Sequence, residues 1–254
     1  MAIAPTKMSK ISARKLEELI KKYLDEFYAR RIAKLSGLNL TEALDKKNPY
    51  LFRAKGVQQA SEIVSELLQA YISSSDESIF GDAFFEPIAK AVSGGQAGGG
   101  EGVDIIKETD HGITVYAVKS GANWGNADQW NRQRQNFQAL QNRLRKLHKA
   151  FDPVMGYGYG RRNTDPKGSR NYRQRSGQAF WEELTGDSDF YLKLIRLMKR
   201  YPQEHRVRYQ VEWRKAVNRF EREFLNNFST PDGDINWEKL VEFNSGIRKK
   251  KTRR

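Results

Sequence analysis

Apolar positions recur at helical spacing through the N-terminal third of the chain. Leu16, Leu19, Ile20, Leu24, Phe27 and Ile32 follow Ser12, a candidate N-cap, and predict a helix ending near Leu35. Pro49 interrupts the pattern. Val57, Ala60, Ile63, Leu67 and Tyr71 share one face of a second helix over 57–71. A third is expected over 79–92, with Pro87 kinking it or opening a turn. The run 93–102 holds six glycines and reads as a loop. Beyond it the period shortens. Residues 103–107 and 113–119 are short apolar runs on either side of the turn signal Asp110-His111-Gly112, and they predict a β-hairpin. The second run is apolar on both faces, as a central strand would be. A long helix over 126–147 follows, its apolar stripe being Trp130, Phe137, Leu140, Leu144 and Leu147. After it come a strand over 153–159, a basic loop over 161–175, and helices over 178–184, 190–198 and 204–224. This order predicts an α/β (α+β) protein with one continuous core and no internal repeats. The expected divisions are an N-terminal helical region 1–47 with a frayed start, a core 48–200, a C-terminal helical region 201–247 and a basic tail 248–254.

Composition narrows the chemistry. Cysteine is absent, which excludes a disulfide framework, a thiol nucleophile and a thiolate zinc site. The three histidines, His111, His148 and His205, are scattered and form no metal-ligand spacing. No apolar run reaches the roughly 18 residues of a membrane span, and the start lacks a signal peptide's apolar core; a cytoplasmic protein without membrane contact is expected. The glycine run lacks a following Lys-Ser/Thr, so it is not a phosphate-cradling P-loop.

The formal net charge is +14, and it is unevenly placed. Residues 129–175 hold 12 basic and 2 acidic residues, and 248–254 hold six basic and none acidic, whereas 1–128 (16 basic, 17 acidic) and 176–247 (11 and 12) are nearly neutral. A concentrated positive field favours a polyanion such as nucleic acid. Within it, Gln129, Arg132, Gln133, Asn136, Leu140 and Arg143 lie on one stripe of the long helix, and Arg, Gln and Asn are the side chains that read purine edges in the major groove. Asn123 and Asn126 lead into that helix. Arg161, Arg162, Lys167, Arg170, Arg173 and Arg175 in the basic loop are candidates for phosphate contacts.

A second constellation surrounds the hairpin. Glu101 and Asp104 open its first strand, Lys119 closes its second, and Glu86 sits on the helix before the glycine run. A carboxylate and a lysine on neighbouring antiparallel strands can meet. Oxygen ligands without His or Cys suit Mg²⁺, and a nearby lysine can orient a water or neutralise charge on a phosphoryl transition state.

The order of elements resembles the αβββαβ core of the PD-(D/E)xK nucleases. More closely, the stretches Asn48 to Lys55, Ile79 to Pro87, Glu101 to Asp104, Val118 to Asn126, Arg134 to Asn136 and Gly177 to Trp181 resemble PmeII-type type II restriction endonucleases over about residues 45–190. The resemblance implies a restriction-endonuclease-like core with additional helices at both ends, and a Mg²⁺-dependent, site-specific deoxyribonuclease. On the family's motif Asp104 is the metal-binding aspartate and Lys119 the catalytic lysine. The acid expected two positions before the lysine is Ala117 here. Glu86 is the first candidate to replace it, with Asp82 in support at i and i+4. Glu101 is the second, although strand alternation puts it on the face opposite Asp104. The resemblance further implies double-stranded DNA as substrate, a homodimer, for which helix 204–224 offers a surface, and a cognate DNA methyltransferase. The alternative is a non-catalytic or repair-type DNA-binding protein of the same fold.

Overall fold

The computed structural model describes residues 11–108, 112–168 and 170–247. The expected frayed start, the tip of the turn at Asp110 and His111, and the basic tail lie outside the described residues. In place of one continuous core the described residues form two compact units, each built from two segments: 11–27 with 77–203, and 28–76 with 204–247. The boundary falls inside three helices, α1 (Ala13–Ser36), α4 (Ala60–Phe80) and α9 (Tyr201–Phe228), which is why periodicity alone gives no sign of it.

The second unit is helical. Around the later part of α1, the earlier part of α4 and most of α9 it adds α2 (Leu40–Asp45), α3 (Pro49–Ala54) and α10 (Trp237–Ser245). Pro49, expected only as an interruption, opens α3, where Asn48 caps the helix by accepting the Leu51 N–H. Leu35, Leu40, Ile63, Leu67, Phe220 and Phe224 fill its core. Arg219 donates to the carbonyls of Leu35, Ser36 and Leu38, satisfying the open end of α1.

The first unit carries a five-stranded mixed sheet. Its strands, β1 (Gln96–Gly100), β2 (Val103–Glu108), β3 (Gly112–Lys119), β4 (Ala150–Tyr157) and β5 (Arg173–Ser176), lie in sequence order. β1–β2 and β2–β3 are antiparallel; β3–β4 and β4–β5 are parallel. The β3–β4 crossover is the long helix α6 (Ala127–Leu144), as parallel pairing requires. Side chains alternate along β3. Val115 and Ala117 join Phe137 and Leu140 of α6 on one face. Tyr116 and Val118 join Ile88 and Ala89 of α5 (Glu86–Val92), and Phe180, Trp181 and Leu184 of α7 (Gly177–Thr185), on the other. A sheet covered on both faces explains its doubly apolar central strand. The expected α+β class and αβββαβ order are both present, with α8 (Phe190–Met198) and α9 following.

Two readings need correction. The glycine run is not a loop throughout, because Gln96–Gly100 pairs with β2 as an edge strand. A Cβ at Gly98 would collide with the Val103 carbonyl, so the close approach of the two backbones needs glycine there. Likewise the basic segment 161–175 is partly ordered. Thr164 bridges Gln174, Lys167 bridges Arg170, and its last residues enter β5.

Gly158, just past β4, is packed so closely that a Cβ would lie 2.6 Å from the ring of Phe85, and its carbonyl accepts the Trp181 indole N–H at 2.9 Å. Gly158→Ala is therefore expected to lower stability by about 1–3 kcal/mol through overpacking. Chemical denaturation would show it as a lower midpoint at unchanged slope.

Candidate active site

Three backbone features assemble the site. The first is a π turn. α4 passes into Gly81–Phe85, whose hydrogen bonds skip one residue farther than an α-helix allows, and the Glu86 N–H reaches the Gly81 carbonyl. One inserted residue rotates every later side chain by about 100°. Pro87, which has no N–H to give, sits in the first turn of α5 just after it. Asp82 is exposed and lines the cleft beside Val118 and Lys119, and Glu86 lies by Asp104.

The second feature is an irregularity in β2. Its register with β3 runs from Glu108–Ile113 to Ile105–Tyr116. There the Asp104 side chain takes over: its Oδ2 accepts the Val118 N–H at 2.8 Å. Val103 and Ile105 consequently pack on opposite faces of the sheet, where regular alternation would put them together. The third feature is the end of β3. Lys119 pairs in register with Tyr157 of β4, and its carbonyl accepts the Gly158 N–H at 2.9 Å. Its ammonium lies 5.3 Å from the Trp124 ring centroid.

Glu86 is within hydrogen-bonding reach of Asp104. Lys90, one turn later on α5, closes the group: its Nζ is 2.5 Å from Glu86 Oε1 and 3.6 Å from Asp104 Oδ1. The Glu86 and Asp104 side chains are only 23% and 17% exposed, so their charges are partly desolvated. Burial pushes the Asp104 carboxyl up to about 6; the Val118 N–H opposes this, the Glu86 charge adds to it, and the Lys119 ammonium draws it back. Burial pulls the Lys90 ammonium down, but its pairing with Glu86 and Asp104 leaves it above the usual lysine value.

A cleft of about 400 Å³ opens beside this group, lined among others by Glu77, Asp82, Lys119, Asn123, Trp124 and Tyr159. Glu77 Oε2 accepts from the Ser120 hydroxyl at 2.9 Å and the Tyr159 hydroxyl at 3.4 Å. Glu77, Lys90 and Tyr159 were not read from the sequence. Lys90 at i+4 from Glu86 was a usable signal; nothing in local pattern singles out the other two.

The remaining predicted residues separate. Glu101 is on the β1–β2 turn, 69% exposed, and pairs with Arg132 at 2.5 Å rather than with Asp104. Asn126 and Gln129 form a reciprocal capping box at the start of α6. Gln133 is corrected as a DNA-facing residue: it is buried, and its amide donates to the Gly102 carbonyl at 2.8 Å, holding the turn that leads into Asp104. Leu140 of the same stripe is buried too, so that stripe crosses the edge between packed and solvated faces. Asn136 lies against Gly102. Asn123, Arg132, Arg161, Arg162 and Lys167 are exposed, Arg162 also donating to the Ala122 carbonyl at 3.2 Å. Arg170 donates to Gln174 and to the Asp165 carbonyl. Arg173 is corrected as a phosphate contact. Its guanidinium is engaged by Asp152 (2.7 and 2.5 Å) and Glu183 (2.8 and 2.9 Å), and those hydrogen bonds raise its pKa further. Arg175 is held by Asp165 at 2.8 Å and stays only 21% exposed.

The donor set suits a hard divalent cation. Two carboxylates converge with no imidazole or thiolate among them, and Mg²⁺ is bound through one or two carboxylates with waters and substrate phosphates completing its shell. Among the described residues no three His, Cys, Asp or Glu side chains gather into a larger metal cluster.

A mixed sheet with helices on both faces, and an acid pair and a lysine at one end of its central strands, define a restriction-endonuclease-like protein. A profile of the type II restriction endonuclease EcoO109I matches residues 14–206. The chain belongs to that family of type II restriction endonucleases, and so to a class of nucleases. No curated protein matches the chain. Among the described residues no helix is long and apolar enough to cross a membrane.

The titration of Asp104 gives a test in metal-free buffer. Its folded carboxyl titrates near 6 instead of 3.8, so the folded state binds that proton more tightly. The resulting stability is fully present below about pH 4 and is lost as pH rises through about 6. Asp104→Asn keeps an acceptor for the Val118 N–H and removes the charge. With EDTA present, the variant is expected to be more stable than wild type at pH 8, by on the order of 1 kcal/mol, and to lose that advantage at pH 4. Equal melting at both pH values would show that the carboxylate is not disfavoured where it sits.

Proposed function

We propose that the protein is a Mg²⁺-dependent endonuclease of the PmeII type that hydrolyses phosphodiester bonds of double-stranded DNA at a specific short sequence. The observation that carries this reading is the convergence of Asp104 and Glu86 beside Lys119, within the span that matches the restriction-endonuclease family. In it Asp104 and Glu86 hold the cation, and Glu86 supplies the carboxylate that Ala117 lacks. Bound there, Mg²⁺ would polarise the scissile phosphate and make a water more acidic. Lys119, facing the cleft from the end of β3, orients the attacking water and neutralises charge developing on the phosphoryl oxygens. The face of the Trp124 ring, its centroid 5.3 Å from the ammonium, favours its charged form and helps to place it.

The exposed residues Asn123, Arg132, Arg161, Arg162 and Lys167 are the best placed for DNA, the basic ones to contact phosphate and the amide to reach a base edge. Asn126, Gln129, Asn136, Arg170 and Arg175 form the border of that surface, each already engaged within the protein or packed against it. A homodimer fits the reading, since a two-fold enzyme matches a palindromic site. So do a cytoplasmic location and a partner methyltransferase that protects host DNA.

Digestion of unmethylated phage DNA tests it. Discrete fragments are expected with Mg²⁺ and none with EDTA. Lys119→Ala and Glu86→Gln are each expected to slow cleavage by about a hundredfold or more, while Glu101→Gln stays near wild type. Random degradation would favour a repair-type nuclease. Salt-sensitive binding with no cleavage in any form would favour a non-catalytic DNA-binding protein.

A further inference from the structure

Lys90 holds the same oxygen atoms that a cation would need. Asp104 has two carboxylate oxygens, and Oδ2 is occupied by the Val118 N–H at 2.8 Å. The other, Oδ1, is the one that faces the Lys90 ammonium at 3.6 Å. On Glu86 the oxygen engaged is Oε1, at 2.5 Å from the same nitrogen. Two partly buried carboxylates this close repel one another and are stable together only with a positive charge between them. Lys90 supplies that charge from one helical turn away, on a flexible stem whose side chain is 36% exposed and so has a way out to solvent.

An ammonium and a divalent cation cannot share these oxygens, because two positive charges a few ångströms apart repel strongly in a partly desolvated site. Resting on the metal reading above, we propose that Lys90 is a built-in counter-ion that occupies the cation position when the metal is absent and swings out when it binds. The lysine keeps Glu86 and Asp104 together before loading. It also sets the metal concentration at which the site fills, since each binding event must displace it. This separates it from Lys119, which comes from β3, lines the cleft and makes no demand on the carboxylate oxygens.

The test is cation binding by the full-length protein without DNA, so that no turnover is involved. Mn²⁺, which takes the same oxygen ligands, is titrated into wild type, Lys90→Met, Lys90→Gln and Glu86→Gln, and the free ion is read by electron paramagnetic resonance. Lys90→Met keeps the length of the side chain and removes its charge; Lys90→Gln guards against a packing artefact of the thioether. Both are expected to bind Mn²⁺ about tenfold tighter than wild type or more, a difference of about 1.4 kcal/mol. Their melting temperatures should fall below wild type in EDTA and rise more steeply with Mn²⁺. If both bind Mn²⁺ as wild type does or more weakly, while Glu86→Gln abolishes wild-type binding, Lys90 is not a displaced counter-ion and the metal reading stands. If neither wild type nor the Lys90 variants bind Mn²⁺, both the metal reading and this inference fall.

Discussion

One hydrogen bond organises the candidate site of the first unit: the Val118 N–H donates to the carboxylate of Asp104. A central strand normally spends that N–H on its neighbour's backbone. Here the neighbour's side chain accepts it, so β2 is free to depart from regular alternation while no buried donor is left unsatisfied. The consequence is electrostatic as well as geometric. An aspartate fixed in this way has one oxygen committed to the backbone and the other facing Lys90, and it sits where water cannot fully solvate its charge. Everything nearby is arranged around that partly desolvated carboxylate.

The arrangement draws on three elements that differ in stiffness. β3 is packed on both faces and places Lys119 rigidly at its end. α5 is aimed by a π turn, whose extra residue rotates Glu86 and Lys90 together toward Asp104. The turn before β2 is held by Gln133, whose buried amide binds the Gly102 carbonyl. The polar helix α6 therefore does more than present a solvated face: one of its amides fixes the turn that leads into Asp104. A site that must be held within a fraction of an ångström is better built from such supports than from loops.

How much of this was legible in the sequence follows from which interactions are local. The strands β2 to β4 and most helices were readable because their apolar spacing is a local consequence of burial. Asp104 and Lys119 stood out because a hairpin brings its two strands together whatever the rest of the chain does. Glu86 was within reach of sequence reasoning, but the reason it faces Asp104 was not. The π turn depends on one shifted hydrogen bond and leaves no change in composition. The glycine strand β1 was missed because glycine signals loops almost everywhere, and only the closeness of β2 at Gly98 makes it a requirement for pairing. Arg173 and Gln133 were misread for one reason: a basic or amide side chain looks solvent-seeking until a distant partner, here Asp152 with Glu183 or the Gly102 carbonyl, is known.

Ala117 illustrates how tertiary context decides where a carboxylate can be tolerated. Its side chain is fully buried and belongs to the apolar cluster of Phe137, Leu140, Met155 and Tyr157 against α6. A carboxylate there would enter that cluster and add another negative charge near Asp104, whose carboxyl is already pushed up by burial and by Glu86. An acid delivered by α5 avoids both costs. It approaches from the opposite face of the sheet, at a partly exposed position, and it brings a lysine one turn away that offsets its charge. In this chain, then, an apolar residue at 117 and an acid on the helix answer a single constraint: how many charges a half-buried strand end can hold.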